Sequence, residues 1–558
     1  MLSLPGLPWP TRALILSLAT LAAAALPAAA AEEVVLDFGP FSRTLPVPSL
    51  QKFAATGELD EPLSTFLRRL SPEQRETFRV ALTANRAVDL IPVSQWFYDS
   101  MGEQTLLFVG QFTQTSARLN GQRALRAAII QAVAEDQDIS LLEVIERFPT
   151  EAMRLDLVQV LQRANQVIQE VEVTQKVVAV IKQQSLADAA QPPPLDLAAL
   201  PDLTQPGPYG SRQISLVLQD RARNRIYPAE LVVPQNLAAV PGPIPVVVLS
   251  HGLGDSPASF LDIAAHVASH GFVVALPEHI GSNFTLQQAM LTGLSRESFK
   301  AEEFLDRPLD VSFLLDELAR MNTSTFDGRL NLDAVTVVGH SLGGYTALAV
   351  GGGTIDFERL AQRCNPTANI VADAALVLEC RALDLLDNPP AVQRLGQEGV
   401  EDPRVKLVMA FTPVSNLFGP SGIRRLQLPV MIFGGEFDIL APVVPQQVAA
   451  FSWLTGPERY LYLAENTSHS PNFTRLINNL LSMDEYFEQS IEEALVMTRG
   501  VNKSLIVAFS QVYGAGRLEY SPFLTAAYVE AISTNDRPLH LVRTLPPQLE
   551  PLLESPSF

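Results

Sequence analysis

Cysteine and histidine are scarce in this chain of 558 residues, which has two of the first and seven of the second. They show no clustering with the spacing of metal ligands, so the sequence indicates no metal site. Basic residues are also in deficit, with 40 Lys and Arg against 60 Asp and Glu and a net charge of -20. Because binding to phosphates needs a basic surface, this balance argues against nucleic acid as a partner.

Apolar runs long enough to span a bilayer are absent as well. The chain begins MLSLPGLPWPTRALILSLATLAAAALPAAAAEE, in which Arg12 precedes an apolar run and a small-residue cleavage site. That run has about 14 residues, whereas a spanning helix needs about 20. We therefore predict a secretory signal peptide over residues 1–31 and an exported protein, periplasmic or secreted, with no membrane span in its mature chain. An uncleaved anchor is the alternative.

The two cysteines are Cys364 and Cys380. In an exported protein, a pair of this kind predicts a disulfide bond. The alternative is two buried free thiols.

The chain changes character along its length. Residues 32–185 have helical patterns such as SPEQRETFRVAL, with a capping box at its start, and TEAMRLDLVQVLQRANQVIQEV. We therefore predict a small all-helical domain there. Residues 186–208 are rich in proline and predict a linker.

After residue 208 the pattern is that of an α/β protein. RQISLVLQD and YPAELVVPQ suggest an antiparallel pair, and fully apolar runs such as IPVVVLS, AVTVVGH and PVMIFGG alternate with helix-length segments. We predict a catalytic domain over 209–475, built on a mostly parallel sheet with helices on both faces. Lid insertions are expected at about 281–306 and 351–404, and a C-terminal helical extension over 476–558.

The segment GHSLGG places Ser341 between an apolar strand and a helix. G-x-S-x-G in that context is the nucleophile-elbow motif, in which the serine sits on a strained turn between strand and helix. Strand and helix approach each other closely there, so the flanking positions must be small. Gly339, Gly343 and Gly344 meet that need.

A nucleophilic serine needs a base, and the base needs an acid that orients it. Only His469 and His540 follow the serine in the chain, and His469 lies in a polar loop after a predicted strand, so we predict it as the base. The acid is predicted at Asp438, in the loop after PVMIFGG. Glu436 and Asp373 remain rivals for that role.

The oxyanion of the reaction needs two donors. One is the backbone NH of Leu342, directly after the serine, and the other is expected from Leu253 in the turn LSHGLGDSPASF. Gly252 and Gly254 leave the backbone of that turn accessible. His251 is interpreted as a structural residue of the turn rather than a second base. Four other histidines have no better claim: His266, His270, His279 and His340.

VVVLSHGLGDSPASFLDIAAHVASHGFVVALPEH and GHSLGG together resemble the plasma-type platelet-activating-factor acetylhydrolases and their relatives in the dienelactone-hydrolase group. The resemblance implies an α/β-hydrolase fold and a serine esterase that acts on short acyl esters without metal or calcium, so no cofactor is expected. It assigns Ser341 as nucleophile, His469 as base, and Leu253 and Leu342 as oxyanion donors.

The predicted acid departs from that group. In the acetylhydrolases the acid follows the strand after the nucleophile helix, but the matching stretch VKLVMAFTPVSNLFG has no carboxylate. The position of Asp438 is similar to that in bacterial cutinases and polyester hydrolases. The N-terminal region resembles a domain of uncharacterised function found before such hydrolases in cyanobacteria, which implies a bacterial source.

The first insertion has apolar residues at helical spacing, at Leu286, Met290, Leu291 and Leu294. That face is expected either to line an acyl pocket or to pack on the body of the protein.

The sequence thus predicts a serine hydrolase of the carboxylesterase type that cleaves short- to medium-chain esters through a Ser-His-Asp triad and an acyl-enzyme. Its substrate is expected to be a small-molecule or lipid-like ester. The alternatives are a polyester or cutin-like esterase, a peptidase or amidase, and a non-catalytic binding protein with a vestigial site.

Overall fold

The computed structural model describes residues 30–136, 138–191, 194–365, 373–469, 500–535 and 537–553. The predicted signal peptide lies outside these residues, apart from its last two positions. The chain divides into two units, one formed by Met1–Phe97 and Gly102–Gln162 and the other by Tyr98–Met101 and Arg163–Phe558.

The N-terminal unit contains β-structure, so the prediction of an all-helical domain is wrong. Among the described residues it has a four-stranded sheet in the order β2-β1-β6-β4 and a two-stranded ribbon, β3-β5. The strands are β1 Glu33–Phe38, β2 Phe41–Pro46, β3 Arg86–Ala87, β4 Thr113–Gln114, β5 Asp138–Ile139 and β6 Ala152–Asp156.

The difference lies at the start of the segment TEAMRLDLVQVLQRANQVIQEV, which contains Met153 and whose pattern predicts a helix throughout. Met153 pairs instead with Val34, because β6 lies parallel to β1. The helical pattern after residue 156 is real, but the five residues before it are held in a strand by a partner more than 100 positions away. A contact between such distant positions overrides local propensity.

Helices make up the rest of this unit. The helix Pro72–Thr83 begins with the predicted capping box, in which Ser71 Oγ accepts from Gln74 N at 3.1 Å and Gln74 Oε1 accepts from Ser71 N at 2.9 Å. The other helices are Val47–Thr56, Glu61–Leu67, Leu90–Tyr98, Ser100–Phe112, Gln122–Asp136 and Leu141–Glu146. The helix Leu157–Ala189 begins in this unit, but its residues from Arg163 onward belong to the second unit. It continues four residues into the predicted linker before the prolines begin.

The second unit is built on a sheet of nine strands among the described residues, in the order β15-β14-β13-β12-β11-β9-β10-β8-β7. Strands β9 to β14 are parallel to their neighbours within that group, and antiparallel strands lie at both edges. The strands are β7 Arg212–Asp220, β8 Arg225–Val233, β9 Ile244–Ser250, β10 Val273–Pro277, β11 Leu330–His340, β12 Val405–Phe411, β13 Val430–Gly435, β14 Arg459–Ala464 and β15 Leu539–Val542.

Both faces of this sheet are covered. All seven residues of β9 are buried, with Val246 and Val248 in one hydrophobic cluster and Val247 and Leu249 in the other. Successive side chains of a strand point to opposite faces, so a fully apolar run is what a sheet with helices on both sides requires. The predicted α/β fold is confirmed.

The helices of this unit include the nucleophile helix, Leu342–Val350, which follows β11. Further α-helices are Leu261–Ser269, Phe284–Leu291, Glu303–Phe326, Phe357–Arg363, Ala375–Glu379, Pro389–Gln393, Gly419–Ile423, Ala449–Trp453, Ala526–Ala531 and Glu550–Leu553. Residues 500–509 are helical as well. No helix in the described ranges combines the length and the apolar character that a membrane crossing needs.

The predicted C-terminal extension is not helical throughout. Its segment Leu539–Val542 forms β15, which pairs antiparallel with β14 and completes the edge of the sheet. Four residues, three apolar and one histidine, are too few to show a periodicity that separates a strand from a loop, so only the pairing partner reveals the strand. The first part of the predicted extension, residues 476–499, lies outside the described residues.

The two insertions differ in how well they match expectation. In the second, Cys364 and Cys380 form the predicted disulfide, with their Cα atoms 5.7 Å apart. In the first, the helix ends at Leu291, so Leu294 falls beyond it and is 85 % exposed rather than on a shared apolar face. Met290 is buried, and Leu286 and Leu291 are half-buried.

Candidate active site

Ser341 lies between β11 and the nucleophile helix in a backbone conformation that side chains rarely adopt. Its φ is 57° and its ψ is -120°. A non-glycine residue at positive φ is strained by about 1–3 kcal/mol and persists only where the surroundings impose it. Two backbone hydrogen bonds do so here, from Ser341 N to Phe411 O at 2.9 Å and from Val414 N to Ser341 O at 3.3 Å.

The glycines around the serine are required by close backbone approach. A Cβ on Gly339 would lie 1.9 Å from the carbonyl oxygen of Gly343, and one on Gly343 would lie 2.0 Å from the carbonyl oxygen of Ser250. A Cβ on Gly344 would meet Pro413 at 2.7 Å. These are distances that real side chains do not tolerate, so the sharp turn at Ser341 depends on glycine on both sides.

A chain of hydrogen bonds joins Ser341 to two residues that follow it by about 100 positions and more. Ser341 Oγ lies 2.9 Å from His469 Nε2, and His469 Nδ1 lies 2.8 Å from Asp438 Oδ2. The other carboxylate oxygen, Asp438 Oδ1, accepts from the backbone NH groups of Leu440 at 3.0 Å and Ala441 at 2.7 Å.

This network fixes which ring nitrogen of His469 carries a proton. A carboxylate accepts hydrogen bonds, so His469 Nδ1 is the donor toward Asp438 and Nε2 is left as an acceptor facing the hydroxyl of Ser341. Asp438 is buried, and Ser341 keeps 8 % of its surface exposed. The arrangement can therefore remove a proton from the serine hydroxyl.

The two predicted oxyanion donors belong to elements on either side of the serine. Leu342 is the first residue of the nucleophile helix, where backbone NH groups have no acceptor within the helix. Leu253 belongs to the turn after β9, which we call the oxyanion turn, residues 251–255. Gly252 of this turn lies against Ser341, since a Cβ on Gly252 would be 3.5 Å from Ser341 Cβ. Gly254 has φ +68° and donates its NH to Ser282 O at 2.8 Å.

The model of the alpha/beta hydrolase family matches residues 247–539, a range that contains Ser341, Asp438 and His469. The chain belongs to this family. The N-terminal residues 30–156 of the hydrolase match a second model, described as an alpha/beta hydrolase of unknown function (DUF1400). No curated protein matches the chain.

The rival acids of the hydrolase lie elsewhere. Glu436 Oε2 accepts from Asn466 N at 3.1 Å. Asp373, in the second insertion, accepts from Arg363 and from Gln446. His540, the rival base, lies on β15 and pairs with Glu465 at 2.6 Å. Among the described residues, none of these three side chains is hydrogen-bonded to Ser341.

His340 supports the site in a way that the sequence did not reveal. Its Nε2 lies 3.0 Å from the backbone carbonyl oxygen of His469, to which it donates, and the two rings are 5.0 Å apart. Burial, followed by the neighbouring His469, lowers the pKa of His340 to about 4. The ring is therefore neutral at neutral pH. The position of His340 in the sequence, directly before Ser341, was the signal that could have pointed to this role.

His251 holds the oxyanion turn, in agreement with its interpretation as a structural residue. The backbone NH of His279 donates to His251 Nε2 at 3.0 Å, so the proton sits on Nδ1, which donates to Gly252 O at 2.8 Å. Burial, together with the charge of Arg307, holds the pKa of His251 well below its usual range. A ring engaged at both nitrogens cannot serve as a base.

The hydrolase contains a second Ser-His-Asp sequence of hydrogen bonds. Ser250 Oγ lies 3.0 Å from His279 Nε2, and His279 Nδ1 lies 3.1 Å from Asp310 Oδ2. All three side chains are at most 1 % exposed, and Asp310 is also bound by Arg223 and Arg225. Without access for a substrate, this arrangement is structural.

Metal ligands are not assembled around either arrangement. In the described part of the chain, no group of three or more His, Cys, Asp or Glu side chains could hold a metal ion.

Proposed function

We propose that this protein is a serine hydrolase of the carboxylesterase type, which cleaves short- to medium-chain esters through an acyl-enzyme. The observation that carries the proposal is the hydrogen-bonded chain Ser341–His469–Asp438, with the serine on a strained turn after a parallel strand. That combination is what activation of a serine hydroxyl requires.

In the first half of the reaction, Ser341 Oγ attacks the carbonyl carbon of the ester while its proton passes to His469 Nε2. Asp438 stabilises the imidazolium that forms and keeps its orientation. The carbonyl oxygen becomes an oxyanion, which accepts hydrogen bonds from the NH groups of Leu253 and Leu342. When the tetrahedral intermediate collapses, the bond to the alcohol oxygen breaks and that oxygen takes the proton from His469.

The second half repeats these steps with water in place of the serine. His469 Nε2 takes a proton from a water molecule whose oxygen attacks the acyl carbon, and the same two NH groups stabilise the second oxyanion. Collapse releases the carboxylic acid and returns the proton to Ser341 Oγ. No electrons are transferred, so the cycle needs no redox cofactor.

The resemblance to the acetylhydrolase and dienelactone-hydrolase group supports a short acyl chain as substrate and a bacterial, cyanobacterial source. The disulfide between Cys364 and Cys380 supports export to an oxidising compartment, periplasmic or extracellular.

A polyester or cutin-like substrate is favoured by a separate observation. Phe437 and Ile439, on either side of Asp438, are 53 % and 52 % exposed. Large apolar side chains with that exposure next to the triad suit an extended, water-insoluble ester. Replacing both by serine is expected to lower the rate on polycaprolactone films and to leave the rate on p-nitrophenyl acetate within about twofold.

Initial rates on p-nitrophenyl acetate, butyrate, octanoate and palmitate test the main proposal, with the protein from residue 32 onward and its Ser341→Ala variant. We expect turnover that falls by at least about 10³-fold in the variant, since loss of the nucleophile leaves only binding and oxyanion stabilisation. Ser324→Ala, which removes an exposed hydroxyl from the helix Glu303–Phe326, is the matched control.

Two results would overturn the proposal. One is a folded wild-type protein no faster than Ser341→Ala on every ester. The other is faster hydrolysis of p-nitroanilides than of the matched esters, which would favour a peptidase or amidase.

A further inference from the structure

A buried arginine lies directly behind the oxyanion turn. Arg307, in the first turn and a half of the helix Glu303–Phe326, has no exposed surface. Its Nη2 donates to the carbonyl oxygens of His251 at 2.9 Å and Gly252 at 3.3 Å. Its Nε donates to Ser282 Oγ at 2.9 Å, and Ser282 O accepts the NH of Gly254 from the far end of the same turn.

The contact with Gly252 bears on the donor at Leu253. In a planar trans peptide, the carbonyl of one residue and the NH of the next point in opposite directions. The carbonyl of Gly252 is held by Arg307 and by His251 Nδ1. The NH of Leu253 must therefore point away from these two groups, while Gly252 itself abuts Ser341.

The same guanidinium reaches the nucleophile helix. Arg307 Nη1 donates to Thr346 Oγ1 at 3.3 Å, and Thr346 lies one turn after Leu342, whose carbonyl it contacts at 3.0 Å. One side chain thus joins the two elements that supply the two oxyanion donors. Their separation decides whether both NH groups can reach a single oxygen atom.

The position of the guanidinium is itself constrained. Glu303 Oε2 lies 3.7 Å from Arg307 Nε and accepts from Ser282 Oγ at 2.7 Å. The other carboxylate oxygen of Glu303 pairs with Arg225 at 2.6 Å. Burial lowers the pKa of Arg307 to about 10, which leaves it charged at neutral pH. A charged donor also polarises the peptide that it contacts, which strengthens the NH on the other side.

We propose that Arg307 is a positioning residue of the oxyanion site, which orients the Gly252–Leu253 peptide and fixes it against the nucleophile helix. This inference rests on the proposed function, because it concerns how that same site stabilises its transition state. An oxyanion exists only after attack, so loss of the arginine lowers kcat and leaves KM nearly unchanged.

The test compares Arg307→Lys with Arg223→Lys. Lysine keeps the charge, but it lacks the planar guanidinium with several N–H donors that bonds both carbonyls and Ser282 at once. Arg223 belongs to the same buried ion network, through Asp220, Asp306 and Asp310, and no described contact joins it to the oxyanion turn. It is the control for a structural defect of the same kind.

For each protein, kcat and KM on p-nitrophenyl butyrate, inhibition by butylboronic acid and the melting temperature are measured. Boronic acids form a tetrahedral adduct on serine that resembles the intermediate. In Arg307→Lys we expect kcat to fall by about 10- to 100-fold, with KM within about twofold and boronate affinity reduced by the same factor as kcat. In Arg223→Lys, kcat is expected to stay within about threefold at a comparable loss of melting temperature.

Two results would overturn this inference and leave the proposed function intact. One is an active wild type with an Arg307→Lys variant of the same kcat. The other is an equal loss of kcat in Arg307→Lys and Arg223→Lys when their melting temperatures are equal. An inactive wild type overturns the proposed function and this role with it. Where Arg307→Lys does not fold, Ser282→Ala removes the acceptor of Arg307 Nε, and kcat is expected to fall about fivefold with KM unchanged. An unaltered kcat there overturns the inference.

Discussion

Replacing Asp438 by asparagine changes a single atom at the end of the hydrogen-bonded chain. Asp438 Oδ1 is fixed by the NH groups of Leu440 and Ala441, which require an acceptor. The amide oxygen of asparagine must therefore take that place, and its NH2 group then faces His469 Nδ1, where Asp438 Oδ2 stood at 2.8 Å. A donor in that position forces Nδ1 to become the acceptor.

The consequence is the wrong tautomer of His469. Its proton moves to Nε2, the atom that lies 2.9 Å from Ser341 Oγ, so the ring can no longer accept the proton of the serine. The imidazolium of the transition state also loses its counterion. Together these effects are expected to lower kcat by about 10⁴-fold, which is about 5 kcal/mol of transition-state stabilisation. The free energy of unfolding is expected to change by only about 1 kcal/mol, because volume and the two backbone hydrogen bonds are kept.

Hydrolysis of p-nitrophenyl butyrate by Asp438→Asn, with a melting curve of each protein, provides the measurement. Glu436→Gln is the matched control, because Glu436 lies two residues away and binds the NH of Asn466 instead. We expect its kcat within about twofold of the wild type. A fall of less than about tenfold in folded Asp438→Asn would refute the reasoning, and a larger effect of Glu436→Gln would transfer the role to that residue.

Three further predictions concern stability. Thr412 has a buried hydroxyl without a hydrogen-bond partner among the described residues. Thr412→Val is therefore expected to raise the free energy of unfolding, measured in urea, by about 1 kcal/mol. A fall of the free energy of unfolding by more than about 1 kcal/mol would mean that the hydroxyl is hydrogen-bonded. Reduction of the disulfide between Cys364 and Cys380, which are 16 positions apart, is expected to lower the free energy of unfolding by about 3 kcal/mol. An unchanged melting temperature in dithiothreitol would contradict this expectation. The pKa of His340 is about 4 in the folded protein, below the value of 6.5 that an unperturbed histidine has, so the unfolded chain binds more protons between these values. Stability is expected to fall as pH drops from 6.5 to 4, with a smaller slope in His340→Gln; equal slopes would refute the assignment.

The parts of the hydrolase that the sequence predicted depend on local patterns. Strands such as Ile244–Ser250 are apolar on both faces because both are covered, and this is visible in a seven-residue window. The turn at Ser341 is indicated by its flanking glycines, which are required because strand and helix approach each other too closely there for a side chain. The proximity of Asp438 and His469 could be predicted because each follows a buried strand, and the carboxyl ends of parallel strands meet at one edge of a sheet.

The parts that sequence reasoning missed depend on distant partners. Leu539–Val542 and Ala152–Asp156 become strands because β14 and β1 are available to pair with them. Arg223 lies in the turn between β7 and β8, and Arg225 is the first residue of β8. Both belong to the polar segment RARNR, whose composition gives no sign of burial. Both are largely buried and bind Asp306 and Asp310 more than 80 positions away, a pairing that no local pattern indicates.

The two Ser-His-Asp arrangements show that the order of the hydrogen bonds alone does not decide whether a serine can react with a substrate. In both, a hydroxyl faces Nε2 of a histidine whose Nδ1 faces a carboxylate, at distances of 2.8–3.1 Å. They differ in the backbone and the counter-charges: Ser341 stands at positive φ, whereas Ser250 ends an ordinary strand and its Asp310 is neutralised by two arginines. A carboxylate already paired with arginines has less charge to offer an imidazolium, and a sealed hydroxyl has no substrate to attack. Under the proposed function, the two arrangements are distinguished by the strain at Ser341 and by the carboxylate of Asp438, which is paired with no arginine or lysine among the described residues, and Asp438→Asn measures the second of these.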